Sequence, residues 1–185
     1  MSQASFSLCV YCGSRPGADP AYMEAASELG RIIATEGWRL VYGAGDVGMM
    51  GAVAEAAVNA GAATLGVIPT HLLDAEAPRG IFGDRIITET MHERKKVMFM
   101  NADAVAVLPG GAGSLDEFFE VLTWAQIGLH GKPLYLVDVN GYWQPLIALV
   151  DHVIAEGFAG PGLRSLFQPV PGVAALAAAL RAARS

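Results

Sequence analysis

The chain has 185 residues, 53% of them hydrophobic and only 16% charged, with a formal net charge of −6. This length fits one ordinary domain with a sizeable core, and no Ser/Pro/Gly linker or charge run divides it, so residues 1–185 are read as a single domain. The acidic balance, with a pI near 5.1, excludes a chain built to hold nucleic acid or an anionic membrane surface, both of which select clustered Lys and Arg.

The first stretch, MSQASFSLCVYCGS, has no basic leader pattern, and no apolar run reaches the roughly 18 residues a membrane span needs, which leads to the expectation of a cytoplasmic protein. FSLCVYCG reads as a strand. Its Cys9 and Cys12 form C-x-x-C, but side chains alternate along a strand, so a spacing of three sends the thiols to opposite faces and argues against a redox pair. The four histidines do not cluster, and no metal site is expected.

Helix and strand then alternate: PAYMEAASELGRIIATEG, WRLVYGAG, VGMMGAVAEAAVNAG, ATLGVIP and DRIITE. A helix beginning near Met91 follows, then the strand AVAVLP, a helix from Ser114 to about Leu129, PLYLVDV, the helix YWQPLIALVDHVIAEG and an Ala-rich terminal helix. Strands such as AVAVL are apolar on both faces, as when helices cover both sides of a parallel sheet. The fold class is therefore α/β, doubly wound and Rossmann-like, with a mostly parallel sheet and helices on both faces. In such sheets ligands gather at the carboxyl ends of the strands. Mean hydropathy of +0.39 is high for a monomer, and a homo-oligomer is expected.

Three strand-to-helix loops are built from small residues: YCGSRPG, YGAGDVGMMG and LPGGAGS. Without Cβ atoms, backbone N–H groups and a helix N-terminus can approach an anion, although each loop alone could be no more than a tight turn. GAGDVG fits G-x-G-x-x-G, but the strand after it ends in Pro69 and Thr70, with no acidic residue placed for a ribose. No Walker-type lysine follows any of the loops.

Two carboxylates and one arginine stand out. Thr90 and Glu93 fit a capping box, and so do Ser114 and Glu117, which leaves Glu117 open between helix cap and catalyst. At 100° per residue Met91, Arg94, Val97, Met98 and Asn101 share one helix stripe, putting Arg94 on the inner face with Lys95 at its edge. A cation in the first turns opposes the helix dipole, so Arg94 needs either a structural salt bridge or an anionic ligand.

MHERK at 91 to 95 together with PGGAGSLDE resembles the Lonely Guy family, whose pattern is P-G-G-x-G-T-x-x-E with an upstream Met-His-x-Arg-Lys. Ser114 replaces the family's Thr, Ala44 stands where many members have Gly and Met49 where many have Leu. The likeness runs over roughly residues 6 to 158. It implies a cytosolic homodimer that uses no cofactor. The implied activity is hydrolysis of the N-glycosidic bond of adenine-type (cytokinin) nucleoside 5′-monophosphates to free base and ribose 5-phosphate. It also implies Arg94 and Glu117 as catalytic, Gly110, Gly111, Gly113, Ser114, Gly13 and Ser14 around the phosphate, and Gly43, Gly45, Gly48, Met49, Gly51 and Lys95 around ribose, base or a second anion contact. The same superfamily holds non-catalytic nucleotide-binding sensors and carriers. The joint presence of Arg94 and Glu117 favours the enzyme. A lysine decarboxylase, a label often attached to this family, finds no residue arranged for the pyridine nitrogen of pyridoxal phosphate.

Overall fold

The computed structural model describes residues 6–73 and 82–184; residues 1–5, on which the reading of the leader partly rests, lie outside them. Seven parallel strands form one sheet in the order β4-β3-β2-β1-β5-β6-β7. They are β1 (Ser7–Tyr11), β2 (Arg39–Tyr42), β3 (Ala63–Pro69), β4 (Asp84–Thr88), β5 (Ala104–Val107), β6 (Leu134–Val137) and β7 (Gln168–Val170). Three-residue β7 is absent from the sequence reading. It is short and carries Pro169, which its place at the sheet edge tolerates.

Alternation along β1 builds two cores. Leu8 and Val10, with Cys12 one residue past the strand rather than inside it, face α1 (Pro20–Thr35), α2 (Gly48–Asn59) and α6 (Val173–Ala182), while Cys9 and Tyr11 face α3 (Met91–Met100), α4 (Ala112–Gln126) and α5 (Gln144–Ala155). The two thiols lie on opposite faces, free and buried. α1 starts where Pro20 presets the backbone and the Asp19 carboxylate accepts the Ala21 N–H at 2.9 Å, a cap worth about 1 kcal/mol. It lies against α2 at backbone distance because Gly30 has no side chain: an added Cβ would stand 2.4 Å from the Val53 carbonyl oxygen.

Both ends of α4 differ from the sequence reading, and the first matters for function. α4 begins at Ala112, with Gly111 as its N-cap in an extended conformation and no side-chain capping bond, so Ser114 and Glu117 lie inside the helix and form no capping box. The glycines at 111 and 113 let the chain enter the helix two residues earlier than the hydroxyl suggested. At the other end Gly128 adopts φ 75 and its N–H returns to the Ala125 carbonyl, which closes the helix before Leu129.

Candidate active site

β1 pairs with β2 on one side and with β5 on the other, and the chain reverses direction across the sheet between β1 and β5. The loops leaving these two strands therefore diverge to opposite faces and leave a crevice at their carboxyl ends, where α/β sheets bind ligands. The Gly13 N–H donates to the Pro109 carbonyl at 3.0 Å and the Met50 N–H to the Gly13 carbonyl at 3.3 Å, so the three glycine loops meet there. A cavity of about 590 Å³ occupies the crevice.

Gly110, Gly111, Gly113 and Ser114 line it at the N-terminus of α4, with Gly13, packed directly against Gly110, and Ser14. An added Cβ at Gly111 or Gly113 would meet nothing within 4 Å, so these backbones are open to a ligand. Met49, Arg94 and Glu117 complete the set of expected residues that the fold brings together.

Arg94 reaches the cavity from α3. The Thr90–Glu93 capping box is present, with the Glu93 N–H donating to Thr90 Oγ1 at 3.2 Å and the Thr90 N–H to Glu93 Oε2 at 3.1 Å, which makes Glu93 a structural residue as expected. The next residue, Arg94, is 4% exposed. Its Nε donates to the Val67 carbonyl at 3.2 Å and its Nη2 to the Gly43 carbonyl at 2.6 Å, and the thioethers of Met91 and Met50 stand 3.8 and 3.9 Å from Nη1 and Nη2. Glu117 is 9% exposed on the same cavity. Burial holds the Cys12 thiol protonated; the negative charge of Glu117 pushes the same way and the positive charge of Arg94 opposes it, so both charges act on one point of the cavity wall.

Other expected residues stand elsewhere. Lys95 does not line the cavity. Its Nζ is held by Asp116 at 2.8 Å and Glu120 at 2.7 Å, and although burial alone would lower its pKa, these two carboxylates together raise it above the ordinary lysine value. Gly48 and Gly51 open on a second cavity of about 590 Å³ between α1 and α2, and Gly45 is buried outside both cavities. Gly43 is also off the lining, with its carbonyl turned to Arg94.

The sequence reading passed over Arg15, Tyr22 and Tyr142, which also line the cavity. Arg15 is exposed, a second cation beside the glycine nest. Tyr142 donates from its hydroxyl to the Gly110 carbonyl at 2.6 Å and meets Tyr22 edge-on at 5.4 Å. Tyr142 follows β6, so only the rule that strand-end loops converge could have flagged it.

A family model described as "Possible lysine decarboxylase" matches residues 50–180. Two relatives from Arabidopsis thaliana carry the name cytokinin riboside 5′-monophosphate phosphoribohydrolase. One is 43% identical over 164 residues, covering 89% of this chain and 76% of its own, and the other 40% identical over 175 residues, covering 95% and 77%. Among solved structures, the molybdenum cofactor binding protein of the phototrophic bacterium Rippkaea orientalis superposes with a TM-score of 0.73 over 99% of this chain and 100% of that one. At 19% identity that likeness speaks for the shared fold alone.

Proposed function

The chain belongs to the family of these matches, described as "Possible lysine decarboxylase" and including cytokinin riboside 5′-monophosphate phosphoribohydrolases, and from that premise we propose that it hydrolyses the N-glycosidic bond of adenine-type nucleoside 5′-monophosphates. The products are the free base and ribose 5-phosphate. The observation that carries this reading is Glu117: a buried carboxylate with no capping duty, in one cavity with the Arg94 guanidinium and an open glycine nest at a helix N-terminus.

Breaking a ribosyl C–N bond builds positive charge on the sugar and negative charge on the departing purine. In this reading Glu117 stabilises the oxocarbenium-like sugar and orients or deprotonates the attacking water, while Arg94 supplies fixed positive charge for the substrate and the leaving base. The 5′-phosphate rests on the N–H groups of Gly110, Gly111 and Gly113 with Ser114, and the α4 dipole favours its charge. Met49, Met50 and Met91 form the apolar, polarisable wall suited to a flat purine.

The residues do not fit pyridoxal phosphate. Among the described residues no lysine lines the cavity, and Lys95 is held by its two carboxylates, so the amine that lysine decarboxylation needs for a Schiff base is not in place.

Residence in the cytoplasm as one domain and assembly as a homodimer belong to the same reading. No helix among the described residues is long and apolar enough to cross a membrane, and Met100, Phe119, Ile127 and Leu129, on or just after α3 and α4, are exposed apolar side chains that a second copy would cover. The deciding experiment is incubation with AMP and with N6-prenylated AMP, followed by chromatography for free base and ribose 5-phosphate. Release of base supports the hydrolase; binding without turnover would favour a carrier or sensor instead.

A further inference from the structure

We propose that Gly43 is a positioning residue for the hydrolytic reaction: its missing side chain and its carbonyl together set where the Arg94 guanidinium stands. The inference rests on the participation of Arg94 proposed above. A Cβ added at Gly43 would lie 2.1 Å from Arg94 Nη2, 3.0 Å from Arg94 Cζ and 3.0 Å from Met50 Sδ. Ordinary contact begins at 3.4 Å, so an alanine at this position must drive the guanidinium away by about 1 Å. All three neighbours are ends of flexible side chains rather than backbone, so Arg94 gives way and the sheet does not.

Two backbone carbonyls contribute to the seat. The Gly43 carbonyl, just past β2, holds Nη2 at 2.6 Å, and the Val67 carbonyl in β3 holds Nε at 3.2 Å. The two parallel strands are paired up to Tyr42 with Gly66, so the first loop residue, Gly43, leaves the sheet directly beside Val67, the residue after Gly66. The direction of the first carbonyl depends on the next residue. Ala44 takes φ 61, a left-handed conformation, and that torsion sets the tilt of the planar Gly43–Ala44 peptide whose oxygen faces Arg94. Gly43 is buried and outside the cavity lining, so it acts through Arg94 and touches no substrate.

A guanidinium moved by about 1 Å still carries its charge but no longer points it at the reacting atoms, a misplacement that costs about 100-fold in rate. The test is a double-mutant cycle on AMP hydrolysis with Gly43→Ala, Arg94→Ala and the pair. Gly43→Ala is expected to lower kcat by about 100-fold with KM within about threefold, unchanged circular dichroism and a melting temperature near that of the parent. In the Arg94→Ala background the same change is expected to lower the rate no further, because nothing is left to position. Full kcat in Gly43→Ala, or losses that multiply in the double variant, would overturn the assignment. So would a Gly43→Ala protein that does not fold, since Gly43 would then serve the fold and not Arg94. Unchanged turnover in Arg94→Ala alone would instead remove Arg94 from the reaction, a failure of the functional reading whatever Gly43→Ala does.

Discussion

The Lys95 ammonium stands 2.8 Å from the Asp116 carboxylate and so ties α3 to α4 through the residues that adjoin Arg94 and Glu117 in sequence. Glu120, one turn further along α4, accepts from the same nitrogen at 2.7 Å. None of these three residues lines the cavity, and the clamp links the two helices that carry the proposed catalytic pair.

Lys95→Met is therefore expected to lower stability by about 1 kcal/mol, a figure reduced for the exposure of Asp116, and to lower kcat while KM for AMP stays near the parent value. The sign with pH follows from the raised pKa of Lys95. Its contribution is fully present below the ordinary lysine value of 10.5 and is lost as pH rises through the higher folded value, so the gap between parent and variant narrows in alkaline solution. Urea unfolding of both proteins from neutral pH upward checks this; a gap that widens would refute it.

Glu117→Gln is expected to reduce turnover by on the order of 100-fold or more with no loss of melting temperature. With Gly111 as the N-cap, the carboxylate has no helix end to satisfy, and glutamine keeps the length of the side chain and an acceptor oxygen. Base release measured by chromatography, beside a thermal melt, separates the two effects. A variant that melts far below the parent while turning over normally would make Glu117 structural.

Arg15→Gln is expected to raise KM for AMP by about tenfold and leave kcat nearly unchanged, because an exposed cation at the cavity wall attracts and holds a phosphate without meeting the reacting bond. The dependence of KM on salt should flatten in the variant. Steady-state kinetics at two ionic strengths decides it, and an unchanged KM would leave the glycine nest as the sole phosphate holder.

Tyr142→Phe removes the hydroxyl that donates to the Gly110 carbonyl at 2.6 Å and so loosens the loop that opens α4. A loss of about 1 kcal/mol is expected, with KM for the monophosphate rising several-fold. A thermal melt together with inorganic phosphate as a competitor reads both consequences.

Leu129→Asp places a charge in the exposed apolar area beside α4. If a second copy covers that area, sedimentation should show the parent as a dimer at micromolar concentration and the variant as a monomer. A monomeric parent would remove the dimer from the functional reading.

The capping-box pattern shows how far local sequence reaches. T-x-x-E at 90 to 93 is a capping box in the structure, whereas S-x-x-E at 114 to 117 is not, because Gly111 and Gly113 let α4 start before the serine. Both stretches carry the same local code, and only the glycines around the second changed its outcome.

By itself the sequence determined the alternation of apolar strands and amphipathic helices, the two-sided burial of the sheet, the inward face that carries Arg94 and the gathering of glycine loops at strand ends. These follow from the 2.0 and 3.6 residue periods and from the need to bury apolar faces, which are local or nearly local demands. The tertiary structure alone decided that β1 and β5 part at the crevice, that Lys95 turns to α4 instead of the cavity, that Tyr142 latches Gly110, and that Gly43 serves Arg94 rather than lining the cavity. Each of these joins residues 21 to 51 or more positions apart, and such pairs depend on strand order and helix docking, which local periodicity does not encode.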